Sequence, residues 1–253
     1  MRAFMKKEWM EWSRTGRLLV LVLVFAVLGI LNPALARLTP WMMEILSESL
    51  AETGVSVTDV TVDAMVSWTQ FYKNIPMGLI VFVLLCSGSF TSEYQKGTLI
   101  PAVTKGLPRR KILLAKSAMM AAVWTGLYIL CAGITYAYNA YFWDNGIADH
   151  LFLALFLTWL LGLWVTGLVI FFSAVSRSGS QVLLGTGAVV LGMYLLGLFP
   201  KFSMYLPIRL LDGMVLLQGA GVPGDYFASM AAAAILIVLT NVLGVFCFNR
   251  KAL

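Results

Sequence analysis

The sequence is poor in charge. Asp, Glu, Lys and Arg together make up 12% of its 253 residues, about half the ~25% usual in soluble globular domains. That leaves too little polar surface for a water-soluble fold. There is one histidine, His150, so a His-Glu-x-x-His zinc site is impossible. Standing at the boundary of an apolar run, His150 reads as an interfacial polar residue rather than a ligand or base. The three cysteines, Cys86, Cys131 and Cys247, all lie inside apolar runs. They lack Cys-x-x-Cys spacing and imply neither a disulfide framework nor a metal site. No Gly-Lys dipeptide occurs, which excludes the Gly-x-x-x-x-Gly-Lys loop that cradles nucleotide phosphates. The apolar runs also carry almost none of the acids, histidines and arginines that ion-coupled transporters keep at mid-membrane. No buried His or Lys is expected that could serve as the base of an intramembrane enzyme. The chain reads as a conduit with no catalytic group, metal or energy source of its own.

What it has in abundance is hydrocarbon. Hydrophobic residues make up 60% of the chain, and several runs reach the ~20 residues a helix needs to cross a bilayer. They do not alternate as barrel strands would. The fold class is an all-α polytopic membrane protein, one permease-like domain over residues 1–253. Six transmembrane spans are expected at about 18–38, 71–92, 112–138, 151–175, 181–199 and 226–248. Asn32-Pro33 is expected to kink the first. Residues 39–71, acidic and divided by Gly54, are expected to hold two short helices. Residues 200–225, broken by Pro200, Pro207 and Pro223, suit short re-entrant or interfacial helices before span six. Residues 3–16 read as an amphipathic interfacial helix. Met5, Trp9 and Trp12 fall on one face toward acyl chains, and Lys7, Glu11 and Arg14 lie opposite. A signal leader is the alternative, with Ala34-Leu35-Ala36 as a cleavage site. The length of this segment, its two Trp and two Glu, and the long run after it favour the interfacial helix.

The net charge of +6 belongs to the loops, so the membrane explains it and no nucleic-acid partner is implied. Fourteen Lys and Arg fall on one side of the six spans and four on the other. By the positive-inside rule both termini are then cytosolic, in a plasma membrane.

Residues 91–116, TSEYQKGTLIPAVTKGLPRRKILLAK, are the least ordinary stretch. Thr98 can cap a short helix over 99–105, Pro101 suits its first turn, and Gly106 suits a left-handed C-cap. Pro108 then opens the next helix. Leu99, Ile100 and Val103 lie at i, i+1, i+4 and form a compact apolar patch, with Lys105 at the helix end. Such a patch in the cytosol calls for a partner; the alternative is a loop whose charges merely fix topology. Glu93, at the membrane boundary, calls for a cation such as Arg17 or Lys116. In span five, Gly185, Ala188 and Gly192 form a small-residue face that permits close helix approach, within the subunit or between subunits. Met77, Met193, Met204 and Met214 suit a hydrophobic or amphipathic cargo.

The pattern Glu93-x-x-x-Gly97-Thr98-Leu99, then a short helix and Leu107-Pro108-Arg109-Arg110, resembles the permease subunits of ATP-binding-cassette exporters. The resemblance is to the six-span class with an amphipathic N-terminal helix. It implies that Glu93, Gly97, Thr98, Leu99, Ile100, Val103 and Lys105 belong to a coupling helix that docks on a cytosolic ABC ATPase. It also implies that ATP and Mg bind on that partner and that two copies pair through span five. Spans two and five would line the path. Export of a small amphipathic peptide, a lipid or a drug, in a bacterial cell, is the expectation that follows. Gln95 stands where many members carry a second acid. The rival is a non-transporting membrane sensor or accessory protein.

Overall fold

A computed structural model describes residues 2–51, 62–98, 104, 106 and 108–250. Among these there is no β-strand, and six helices are long and apolar enough to cross a membrane. A short first helix, α1 (Arg2–Arg14), precedes them. The six are α2 (Arg17–Ala51), α3 (Ala64–Gln95), α4 (Arg109–Phe142), α5 (Leu151–Val175), α6 (Gly179–Gly197) and α7 (Phe227–Arg250). An even number of crossings puts α1 and the end of α7 on the same side.

Local signals set several of the ends. Asp63 caps α3, its carboxylate accepting from the N–H groups of Met65 (2.9 Å) and Val66 (3.2 Å), so the helix begins before its apolar run does. The Ser178 hydroxyl accepts from Gln181 N–H at the start of α6. Pro108 stands at the N-cap of α4, extended at φ −65°.

The first span differs from its expectation. α2 continues through Pro33 and Pro40 as far as Ala51, so the first half of 39–71 prolongs the span instead of forming a separate short helix. An interior proline costs a helix roughly 3 kcal/mol. Here α2 packs along α3 and α4, and buried Asn32 pins it to both. Its amide donates to Thr135 Oγ1 at 3.0 Å and accepts from Asn74 Nδ2 at 2.8 Å. Residues 52–61, where the second short helix was expected, lie outside the described residues.

α5 forms the middle of the bundle, packed by α3, α4, α6 and α7. Its buried Trp164 and the buried Trp124 and Trp68 are the largest core side chains. Trp124 sits edge-on to Phe82 and Phe25 and approaches α5 this closely only because residue 162 is glycine. A Cβ there would come within 2.0 Å of the Trp124 ring. After α6 the chain makes short helical turns, Pro200–Ser203, Pro207–Leu211, Gly213–Leu217 and Pro223–Tyr226. Three of them start on proline. Leu210, Leu216 and Leu217 of this region are fully buried and close one end of the bundle.

The two ends differ in charge. One carries α1, the α3–α4 connection and the C-terminal end of α7, and is rich in Lys and Arg. The other carries Asp144, Asp149, Asp212 and Asp225.

Candidate functional site

At the basic end, α3 stops in a defined way. Lys96 is its C-cap, and Gly97 follows in the left-handed region at φ 65°. The Thr98 N–H returns to the Glu93 carbonyl (3.1 Å) and the Gly97 N–H to the Tyr94 carbonyl (3.1 Å). These are the two bonds of a Schellman stop, which wants glycine at that one left-handed residue. The Glu-x-x-x-Gly-Thr sequence therefore has a backbone meaning. It ends the helix one turn after Glu93 and fixes where that side chain points. The Thr98 hydroxyl turns back to the Glu93 carbonyl as well (3.4 Å).

Glu93 points inward, its side chain 5% exposed, into an ion cluster drawn from three helices. Lys116 of α4 lies 3.0 Å from Glu93 Oε2 and 2.8 Å from Oε2 of Glu8 on α1. Lys7 pairs with the other Glu93 oxygen and reaches Glu11 at 3.1 Å and Glu8 at 3.3 Å. Lys116 also sits 5.4 Å from the centre of the Phe90 ring. Burial alone would favour the neutral amine of Lys7. The Glu93 hydrogen bond and charge, together with Glu8 and Glu11, outweigh it and hold the Lys7 ammonium above the ordinary lysine range. Burial would likewise raise Glu11, but Glu93, Lys7 and Lys116 bring its carboxyl below the ordinary range.

One carboxylate oxygen from each of Glu8, Glu11 and Glu93 lies within 4.8 Å of the other two. Two ammonium groups already stand between them, so the cluster suits lysine and not a divalent metal.

Neighbouring contacts tie the same end together. Gln95 donates to the carbonyl of Arg177 in the α5–α6 loop (3.2 Å). The side chain that replaces the second acid thus makes a loop contact. Arg109 donates to the carbonyls of Phe248 (3.5 Å) and Asn249 (3.4 Å), at the C-terminal end of α7, where a cation complements the helix dipole. Phe90 and Phe248 each meet Tyr94 edge to face and lie tilted against one another.

The predicted residues distribute as follows. Glu93, Gly97 and Thr98 meet at the α3 stop. Gly106 is left-handed at φ 83°. Leu99, Ile100, Val103 and Lys105 lie outside the described residues. On α1 the expected apolar face is divided, because Trp12 is buried in the core, Met5 is half-buried and Trp9 is 55% exposed. The inward stripe is instead Phe4, Glu8 and Trp12, at i, i+4, i+8. Lys7 and Glu11, expected to face water, turn to the cluster because Glu93 and Lys116 draw them there. Glu8 is the member that sequence reasoning missed. Its signal was present, since an acid on the stripe of a buried tryptophan requires a buried cation.

In α6, Gly185 packs inside the chain, where a Cβ would meet the Phe172 ring at 2.4 Å. Ala188 is exposed, and a Cβ on Gly192 would meet nothing within 4 Å. Between α3 and α6 runs an apolar groove of about 280 Å³ lined by Leu79, Val83, Thr186 and Val190.

Comparison with known proteins agrees with this architecture. Residues 2–253 match the model of a family described as ABC-2 family transporter protein. The chain is also similar to an uncharacterized transmembrane protein of Bacillus subtilis (strain 168), YxlG. The two are 22% identical over 262 residues, covering 99% of this chain and 97% of that one.

Proposed function

As the chain belongs to the ABC-2 family of transporter proteins, we propose that two copies of it form the membrane path of an exporter for hydrophobic or amphipathic substrates. It is the membrane subunit of an ABC transporter, a family component without an ATPase domain that works with a separate ATPase subunit. In this proposal ATP and Mg bind on that partner, and the basic end, with both termini, faces the cytosol of a bacterial cell. The excess of Lys and Arg there supports this sidedness. The ATPase docks on the segment between Glu93 and Lys116, with Leu99, Ile100 and Val103 as its apolar contact.

The observation that carries the reading is the buried ion cluster. Glu93 and Lys116 flank the docking segment in sequence, and Lys116 pairs with both Glu93 and Glu8 of α1. A push on the segment must therefore move the ends of α3 and α4 together with α1, because separating the pairs would leave charges buried and unpaired. Such a joint transmits displacement in the rigid-body manner of packed helices. Spans α3 and α6 line the groove between them, and a small amphipathic peptide is the favoured cargo.

The test is co-purification with the ATPase and uptake into inverted liposomes. The account expects Val103→Asp to lower ATPase binding and transport with insertion unchanged. Wild-type binding and transport by that variant would remove the docking role.

A further inference from the structure

Two clefts lie along α4 and α5 away from the coupling end and border one another at Tyr136 and Phe152, whose ring centres stand 6.5 Å apart. The first, of about 630 Å³, is apolar. Ile129, Ala132 and Gly133 of α4 fall on one helical face, and Phe152, Phe156 and Trp159 of α5 fall on another. It opens sideways, since Phe152 is 77% and Ile129 62% exposed, on spans that hydrocarbon surrounds. On its α4 wall Gly133 is exposed, and a Cβ there would meet nothing within 4 Å. The polar atoms in its walls are already satisfied inside the chain. Tyr128 OH donates to the Leu155 carbonyl (2.7 Å), and Trp159 Nε1–H donates to Thr125 Oγ1 (3.1 Å). The groove thus presents hydrocarbon and aromatic surface only.

The second cleft, of about 640 Å³, lies at the acidic end and shares Tyr136 and Phe152 with the first. Its lining includes Asp144, Asn145 and His150 and no Lys or Arg. Asn145 is fully used as scaffold, accepting from Trp68 Nε1–H (3.1 Å) and donating to the Tyr136 carbonyl (3.1 Å). The Asp144 carboxylate accepts from the Gly146 N–H through one oxygen (2.8 Å) and is exposed to the cleft. His150 is held in the left-handed region at φ 50° and is exposed on the rim.

An apolar slot open to the bilayer, running into a polar mouth with a carboxylate and an imidazole, has the shape of an amphiphile. We propose that the α4–α5 groove is a lipid site that holds one acyl chain and the ammonium-bearing headgroup of a phosphatidylethanolamine. The chain lies between Gly133 and Phe152, the ammonium meets Asp144, and the imidazole of His150 donates to the phosphate. Anionic headgroups without an amine are disfavoured, because the mouth offers a carboxylate and no strong base. The site stands apart from the coupling end and does not depend on transport.

Native mass spectrometry of the full chain in detergent tests it, with phosphatidylethanolamine and phosphatidylglycerol of identical acyl chains as probes. The wild type is expected to retain one phosphatidylethanolamine at least about fivefold more tightly than phosphatidylglycerol, and Gly133→Leu to weaken that retention about tenfold. Asp144→Asn keeps an acceptor for Gly146 and is expected to erase the headgroup preference. Equal retention of the two lipids by the wild type overturns the headgroup assignment. Unchanged retention by Gly133→Leu shows only a nonspecific lipid belt and overturns the site. Should Gly133→Leu fail to insert, Asp144→Asn decides alone, and an unchanged preference overturns the proposal.

Discussion

Lys116 and Glu8, more than a hundred positions apart in sequence, meet at 2.8 Å with their side chains 3% and 2% exposed. Removing one member of a buried pair strands the other, at a cost of about 3–5 kcal/mol. Lys116→Met leaves Glu8 and Glu93 with only the half-exposed Lys7 as their cation, so it should lower the unfolding midpoint in detergent clearly and free α1 to tryptic cleavage at Lys6 and Lys7. Lys7 is 42% exposed, and Lys7→Met should cost about 1 kcal/mol or less. Equal effects of the two substitutions would mean that the cluster is not a buried joint.

The attachment of α1 should depend on pH at the extremes only. Glu11 has its carboxyl lowered by its neighbours, so its contribution is present above the ordinary carboxylate range and is lost as pH falls through the lowered value. Lys7 has its ammonium raised, so its contribution is full below the ordinary lysine range and is lost as pH rises through the raised value. Between about pH 5 and about pH 10, inside the ordinary ranges of these two groups, both contributions are full. Protease protection of α1 should therefore fall when the pH drops well below about 4. Glu11→Gln should remove the part of that loss that Glu11 carries, and an unchanged acid profile in Glu11→Gln would contradict its role.

The two glycines of the small-residue face of α6 should part company. Gly185→Leu drives a side chain into the Phe172 ring within the chain and should destabilise the monomer by about 1–3 kcal/mol. Gly192→Leu meets open space and should leave the monomer's melting curve unchanged while weakening the proposed dimer. Cross-linking and size-exclusion with light scattering distinguish the two. A dimer that survives Gly192→Leu would place the seam elsewhere.

The long apolar runs made the all-helical membrane fold legible, because a bilayer leaves backbone polar groups no other partner. Gly106 was equally readable as a left-handed residue, whereas Gly97 entered only through the motif of the exporter resemblance and its role as the stop of α3 was not read. The course of α2 was not. Pro33 and Pro40 argue locally for a break, and the amides of Asn32 and Asn74 that hold the helix are distant in sequence. Glu8 was missed for a related reason. Its partner lies on α4, so α1 read in isolation looks like a helix made only for the lipid surface. Sequence spacing also gave Gly185 and Gly192 one face, whereas the position of the Phe172 ring separates them.

The central claim is that the Glu93 cluster passes force between the ATPase and the spans. Its most direct test is Glu93→Gln in liposomes with the ATPase bound, measuring ATP turnover and transport together. Gln keeps the shape and loses the charge that grips Lys7 and Lys116. The account predicts that the ATPase still binds and hydrolyses ATP while transport per ATP falls about tenfold or more. Transport per ATP equal to that of the wild type would contradict it.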